Sequence, residues 1–383
     1  MKDNKEYLKD IYNKYEQEKD KTTIFYNSNI NKTNKFKTIA ASLLLLVVAS
    51  SGVFAGVKIY EKVFMQPSYI GDSASQKSNN IWCGTFALVW NDVMDELVHG
   101  PIEFEGYESE LANELNKQTF NKNMLSEDGY FKVWGKSSNE LKETIEKGIK
   151  EKFNEKSNIL NELDFSSPSD GFVFYTMLKK EFTFLKPFNV LDKEQFGEGE
   201  KVKYFGIDND SPSELYKNVE VLFYNSDNDF AVNLKTKENE DVILYRTNES
   251  KSFEEMYNQI LDKQSKYDKT KKKFTQYDRL KVPYVNVNYI INYDELCNKT
   301  IKGTKLYIEK ALQYIDISLD NEGGRLLSEA AIGLKQESII EDVVRVESRN
   351  FYFTDNFVMF LKESDKDMPY FAMFVENDQV LVK

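Results

Sequence analysis

The sequence predicts an α+β fold in which helices of the N-terminal half pack on mixed or antiparallel β-sheets, carried on one N-terminal transmembrane helix. Three observations predict it. Thr38 to Val57 is twenty residues without a charge, enough to cross a hydrocarbon core of about 30 Å as a helix. From Gly171 onward, short runs rich in aromatic and β-branched residues alternate with polar turns, which is strand patterning. Before that point apolar residues recur at helical spacing, as Phe86, Val89, Trp90, Val93 and Leu97 do.

Composition narrows the function. The 383 residues suffice for one large domain or two ordinary ones, and 14% aromatic residues argue against disorder. A net charge of -12 repels phosphates and excludes nucleic acid as a partner. The charge is uneven: residues 1–37 carry nine Lys and six Asp or Glu, a tail of +3, which leaves -15 for everything after it. Lys32, Lys35 and Lys37 precede the apolar segment, and Lys58 and Lys62 follow it. The positive-inside tendency therefore places the tail in the cytoplasm and the acidic body outside the cell. The expected organisation is a cytoplasmic tail at 1–37, a single membrane span at 38–57, a juxtamembrane linker at 58–79 and an extracellular domain at 80–383. A cleaved signal peptide is the competing reading, with Val53-Phe54-Ala55 as its small-residue site. In the tail, Leu8, Ile11, Tyr12 and Tyr15 fall on one helical face, either as a docking helix for a partner or as an anchor lying on the membrane.

Along the body, Ile81 to Leu97 starts apolar and becomes a helix with Thr85 as its N-cap. Ser109 to Leu163 reads mainly helical, with a second periodic run from Asn139 to Phe153. Phe172 to Leu178 reads as a central strand, followed by Phe182 to Phe188. Val202–Ile207, Val219–Tyr224, Phe230–Leu234 and Val242–Tyr245 read as a meander, with a hairpin turn at Asn225 to Asp229. Ser252 to Leu261 reads as a helix, the run Lys269 to Lys273 as a solvated surface, and Leu280 to Tyr289 as a strand. Near the C-terminus, Ile315, Ile317 and Leu319 alternate along a strand that ends in the turn Asp320 to Gly324. A long segment then runs to Asn350, and Phe351–Leu361 and Tyr370–Phe374 close the chain as a hairpin.

Several of these segments, in this order, resemble the serpins, the serine-protease-inhibitor fold. Asn80-Ile81-Trp82-Cys83-Gly84-Thr85 resembles the serpin Asn-Ile-Phe-x-Ser-Pro strand that enters a buried helix, with Gly-Thr for Ser-Pro. Phe184-Leu185-Lys186-Pro187-Phe188 is similar to the Trp-x-x-Pro-Phe element, with Phe for Trp. Leu280 to Tyr289 followed by Tyr293-Asp294-Glu295-Leu296 resembles the Leu-Pro-Lys strand leading into Tyr-Asp-Leu. Asn321-Glu322-Gly323-Gly324 resembles the first half of the serpin hinge, and Ser328-Glu329-Ala330-Ala331 the second. Phe353-Thr354-Asp355-Asn356-Phe357 resembles the Phe-x-x-x-Pro-Phe strand without its proline.

The resemblance implies a mechanical function: a protease cuts an exposed loop near the C-terminus, here about residues 325–349, and the loop inserts as an extra strand in the main sheet. Counted from Gly324, the inward set would be Gly324, Leu326, Ser328, Ala330, Ile332 and Leu334, with Arg325 and Glu329 pointing out. Leu326 and Ile332 are larger than the Ala and Thr typical of inhibitory hinges, and a tight slot resists added volume. Counting forward from Gly323 puts the cut near Glu337-Ser338; counting back from Phe353 puts it at Arg345-Val346, which suits a protease with an acidic specificity pocket. Lys335 is a further candidate.

A catalytic reading has little to stand on. The one histidine, His99, sits before Gly100-Pro101 at an expected helix end, and no Gly-x-Ser-x-Gly elbow accompanies it. Two cysteines, Cys83 and Cys297, are too few for a structural zinc site; they are either one extracellular disulfide or buried thiols. No catalytic residue, metal or cofactor is expected. Three functions stay open: a membrane-anchored inhibitor of an extracellular protease, a non-inhibitory serpin-fold or other α+β ectodomain that binds a ligand and signals through the tail, and a cell-surface hydrolase built on carboxylates.

Overall fold

Alternating apolar runs become strands because every second side chain can then be buried while the backbone groups pair laterally. In a computed structural model of the chain, residues 68–70, 79–165, 171–249, 251–328 and 348–383 are described, all within the unit Glu61–Lys383. The tail and apolar segment at 1–57, and the residues Glu329, Ala330, Ala331, Lys335, Glu337, Ser338, Arg345 and Val346, lie outside them. Among the described residues no helix is long and apolar enough to cross a membrane.

In chain order the elements are β1 (Ser68–Ile70), β2 (Asn79–Cys83), α1 (Thr85–Asp92, continued by a π-helical turn Val93–Val98), α2 (Glu110–Leu115), β3 (Tyr130–Lys136), α3 (Asn139–Phe153), β4 (Phe172–Thr183), β5 (Asn189–Gln195), β6 (Lys201–Ile207), β7 (Val219–Ser226), β8 (Asp229–Lys235), β9 (Glu240–Arg246), α4 (Phe253–Lys266), β10 (Arg279–Pro283), β11 (Val285–Asn292), β12 (Leu312–Leu319), β13 (Gly323–Ser328), β14 (Asn350–Tyr352), β15 (Phe357–Glu363) and β16 (Phe371–Val375). They form a seven-stranded sheet in the order β1-β2-β16-β15-β9-β8-β7, a four-stranded sheet β14-β10-β6-β5 and a five-stranded sheet β11-β12-β13-β4-β3. Pairing is antiparallel throughout except between β10 and β14. The principal core is filled by the inner faces of all three sheets, with Leu178 and Leu326 from the five-stranded sheet, Phe205 and Leu280 from the four-stranded, and Leu244 and Met359 from the seven-stranded. α3 covers the outer face of the five-stranded sheet. Its Leu141, Ile145, Ile149 and Phe153, four residues apart, pack on Tyr175, Met177, Tyr314 and Leu327.

The α+β class holds, with the C-terminal hairpin β15–β16 and the meander β7–β8–β9 as expected, but the chain is richer in strand than the sequence suggests. The helical reading of 109–163 misses β3: Tyr130, Lys132, Trp134 and Lys136 share one face, and the strand pairs with β4 along its whole length. Phe172–Leu178 and Phe182–Phe188 are not successive strands; one long β4 runs to Thr183 and Phe184 only bridges to Thr236. β6 leaves the meander for the four-stranded sheet. Leu280–Tyr289 splits at Tyr284 into β10 and β11, which serve different sheets. Phe351–Leu361 likewise divides into β14 and β15 around Asp355, which pairs with the buried Arg246. Thr85 is not the N-cap of α1, a position held by Gly84; its hydroxyl is used elsewhere.

The fit of α3 to the sheet gives the first expectation. Ile145 is fully buried, and Ile145→Ala should cost about 2–5 kcal/mol in urea unfolding; a cost below about 1 kcal/mol would mean that α3 does not hold that face.

Candidate functional site: the hinge strand and its seat

The predicted hinge begins where Asp320 turns the chain. Its Oδ1 accepts the backbone N–H groups of Glu322 (2.8 Å) and Gly323 (3.1 Å), a short-range device that side-chain carboxylates supply at turns. The turn is tied to the Phe184–Phe188 element, whose Phe184 and Phe188 N–H groups donate to the Glu322 and Asn321 carbonyls at 2.8 Å. Tyr284 Oη donates to Asn321 Oδ1 at 2.7 Å.

From Gly323 to Ser328 the chain is not an exposed loop. It is β13, the middle strand of the five-stranded sheet, antiparallel to β12 (Leu319↔Gly324 through Asp316↔Leu327) and to β4 (Gly323↔Thr183 through Ser328↔Leu178). The expectation of an exposed loop from residue 325 is thus corrected for 325–328. The physical reason is that β12 and β4 both turn unpaired N–H and C=O groups toward the same gap, and a strand satisfies both rows at once. Glycine is required at the entry. A Cβ on Gly323 would lie 2.0 Å from the Phe182 carbonyl oxygen, and one on Gly324 would lie 2.5 Å from the Phe182 ring and 2.9 Å from the Ser318 carbonyl oxygen.

The strand's two faces differ. Leu326 is fully buried in the principal core, so the slot takes the leucine that its size had set against it. Leu327 faces the other way and is buried under α3. Arg325, on that outer face, reaches Glu155 (3.3 Å), Asp316 (3.5 Å) and Glu181 (3.6 Å), so it touches both flanking strands. It is half-exposed, and each pair by itself contributes little.

At the tip, Ser328 Oγ lies 3.0 Å from Thr85 Oγ1. Gln313 Nε2 donates to the same Thr85 oxygen (2.6 Å) and to the Cys83 carbonyl (3.0 Å), and Tyr293 Oη donates to Gln313 Oε1 (2.8 Å). This buried polar knot joins β2, α1, β12 and the end of β13. Past Ser328 the neighbours continue, β4 through Phe172–Met177 and β12 through Leu312–Tyr314, with no pairing between those two stretches among the described residues. Thr176 Oγ1, on that part of β4, is buried with no hydrogen-bond partner among the described residues.

Below β13 lies a cluster that sequence reasoning did not single out. Lys180 of β4, opposite Leu326 in register, is 1% exposed and donates to Glu240 and, at 2.8 Å, to Glu363 Oε1. Tyr370 Oη donates to Glu240 Oε2 at 2.7 Å, and Ser126 Oγ donates to Glu363 Oε2 at 2.7 Å. Burial pushes the Glu240 carboxyl up to about 7, with the Glu363 charge adding to it and Lys180 and Tyr370 opposing. The signal was available: the period of two puts Lys180 on the inward face with Leu178 and Phe182.

The remaining residues named from sequence are apart from this seat or at its margin. Cys83 and Cys297 are free, buried thiols in separate clusters and do not form the disulfide considered for them. Cys83 Sγ accepts from Thr85 Oγ1 at 3.8 Å, Cys297 Sγ donates to the Tyr293 carbonyl at 3.5 Å, and burial pushes both thiols up. His99 closes the π-helical turn in a left-handed conformation (φ 57) with its Nδ1 2.8 Å from the Asp95 carbonyl. Among the described residues no group of three or more His, Cys, Asp or Glu side chains is disposed to hold a metal ion.

The hinge turn, the strand beside the Phe184–Phe188 element and the closing hairpin stand in the order the sequence resemblance assigns. No family model matches the chain, and no curated protein matches it. Solved structures to which it is similar include Serpin48 of the insect Tenebrio molitor (12% identity, covering 79% of this chain and 92% of that one, TM-score 0.44). Thyroxine-binding globulin in complex with thyroxine (10%, 78% and 92%, TM-score 0.45) and maspin (10%, 78% and 92%, TM-score 0.47) are two others.

Two outcomes follow from the seat. Gly323→Ala drives a methyl into backbone that cannot swing aside, and should destabilise by about 1–3 kcal/mol while exposing the amides of Gly324–Ser328 to exchange; wild-type protection there would contradict the pairing. Glu240 has a folded value above its ordinary 4.5, so the folded state holds a proton that the unfolded chain has released. Stability should therefore fall as pH rises from about 4.5 to 7, by about 1.4 kcal/mol per unit from this group. Urea unfolding across that range should show the fall in wild type and a shallower slope in Glu240→Gln; equal slopes would contradict it.

Proposed function

We propose that the chain is a membrane-anchored, extracellular serpin-like protein that inhibits a protease by inserting its reactive loop into the five-stranded sheet. The observation that supports this reading is that Gly323–Ser328 is already seated between β4 and β12, and that among the described residues both of those strands extend past Ser328. Continued in the same register, Ala330, Ile332 and Leu334 would stand opposite Thr176, Phe174 and Phe172 of β4. The alternation would turn these three inward and Glu329 outward, and no charge would be buried. Thr176 would gain a neighbour along its edge, and Phe174, already stacked on Trp134 at 5.2 Å, would gain an aliphatic one.

In this mechanism a protease cuts the loop, with Arg345-Val346 the favoured bond and Lys335 or Glu337-Ser338 the others. The loop then zips into the slot with the protease still joined to its cut end. Free energy comes from new strand pairing and burial of the inward side chains, and it is spent on distorting the enzyme. The apolar segment at 38–57 would hold the body at the outer face of the cell membrane, with residues 1–37 in the cytoplasm. A second reading, a non-inhibitory ectodomain that binds a ligand and signals through the tail, draws on the hinge itself: with Leu326 already seated, the sheet is closed through Ser328 before any cut.

Mixing the full-length chain, held in detergent micelles, with a trypsin-like protease separates the two. A conjugate of chain and protease that survives denaturant, and that is lost in Arg345→Glu, is expected. Clean cleavage of the loop with no conjugate from any serine protease tried would overturn inhibition and leave the second reading.

A further inference from the structure

The buried cluster beneath the hinge has an imbalance that the fold alone does not require. It sets one ammonium, Lys180, against two carboxylates, Glu240 and Glu363, all at most 2% exposed. Among the described residues, the groups facing it come from several elements. They are Lys180 from β4, Glu240 from β9, Glu363 from β15, Tyr370 just before β16, and Ser126, whose N–H and Oγ both donate to Glu363, from the loop before β3. Cys83, at the end of β2, acts on Tyr370 from farther off. The Lys180 ammonium also lies 5.1 Å from the Tyr370 ring centroid. The adjacent charges, Asp241 and Lys362, pair with each other at 3.2 Å and do not balance the cluster.

Fully ionised, the cluster carries one excess negative charge out of reach of water. Such a charge is relieved either by a proton or by letting water in. Water enters most directly by parting the five-stranded sheet from the seven-stranded one, since Lys180 is on the first and both glutamates are on the second. Lys180 is also the register partner of Leu326, so any movement of β4 at this point is felt by the hinge strand.

We propose that Lys180, Glu240 and Glu363 form a proton-dependent tie between the two sheets: with a proton on Glu240 the cluster is neutral and holds β4 and β13 in place, and without it β4 loosens and the hinge is unseated. Acidification then locks the hinge in the sheet, and alkalinisation frees it. This rests on the register of β13 against β4 and not on the protease reading, so it stands or falls without reference to inhibition.

The test is amide hydrogen exchange of the full-length chain from pH 5.5 to 8.5, with rates divided by those of an unstructured peptide at each pH. Wild-type protection of 323–328 is expected to fall about tenfold across one unit near neutrality, while the β7–β8 hairpin keeps its protection. Glu240→Gln, which fixes the cluster at one charge of each sign, should stay at the low-pH level throughout. Tyr370→Phe removes a donor that favours the Glu240 anion, and should move the fall to higher pH; it also serves if the glutamine variant does not fold. Protection of 323–328 that does not change with pH in wild type, a fall shared equally by the β7–β8 hairpin, or a fall in Tyr370→Phe at the wild-type pH would each overturn the proposal.

Discussion

Two strand edges facing each other across the width of one strand are the constraint on which the rest of this structure depends. β4 and β12 each present a row of backbone N–H and C=O groups to the same gap, and buried groups of that kind must be paired. β13 pairs them from Gly323 to Ser328. Among the described residues both neighbours extend past Ser328. The two glycines at its entry, the Asp320 turn and the Thr85–Ser328 contact at its tip all follow from holding a strand in that place.

The seat is built asymmetrically, and the asymmetry is chemical. On the outer face Leu327 packs under α3 while Arg325 reaches carboxylates on both flanking strands, contacts that salt screens. On the inner face Leu326 is sealed in the principal core above a cluster of buried charges. A core packed to near-crystalline density resists side chains of the wrong volume, yet Leu326 is accommodated with no exposure. At this position the sheet is shaped for leucine.

Much of this was legible in the sequence, for definite reasons. Ile315, Ile317 and Leu319 alternate and do face the principal core, because a period of two is hard to produce except in a half-buried strand. The strand boundaries were less legible. β3 was hidden by the helical patterning on either side, since Tyr130 to Lys136 is short and carries exposed lysines, Lys132 and Lys136, as a solvated helix would. The splits at Tyr284 and around Asp355 depend on which sheet each half joins, and no local pattern records that. The seating of Gly323 to Ser328 was out of reach for the same reason: the alternation of the hinge was plain, but whether a waiting gap takes it up is decided by β4 and β12. Lys180 was within reach, as the inward position of an apolar strand, and its partners Glu240 and Glu363 were not, because they lie far along the chain on another sheet.

The chain leads from β13 through residues 329–347 to β14. Cutting the chain once between residues 329 and 347 would release that segment from its downstream anchor at β14 and leave it joined to β13. Differential scanning calorimetry of the intact and the singly cut chain compares the two states directly. A cut chain that unfolds at a markedly higher temperature than the intact one is the predicted result; an unchanged or lower unfolding temperature would contradict the account.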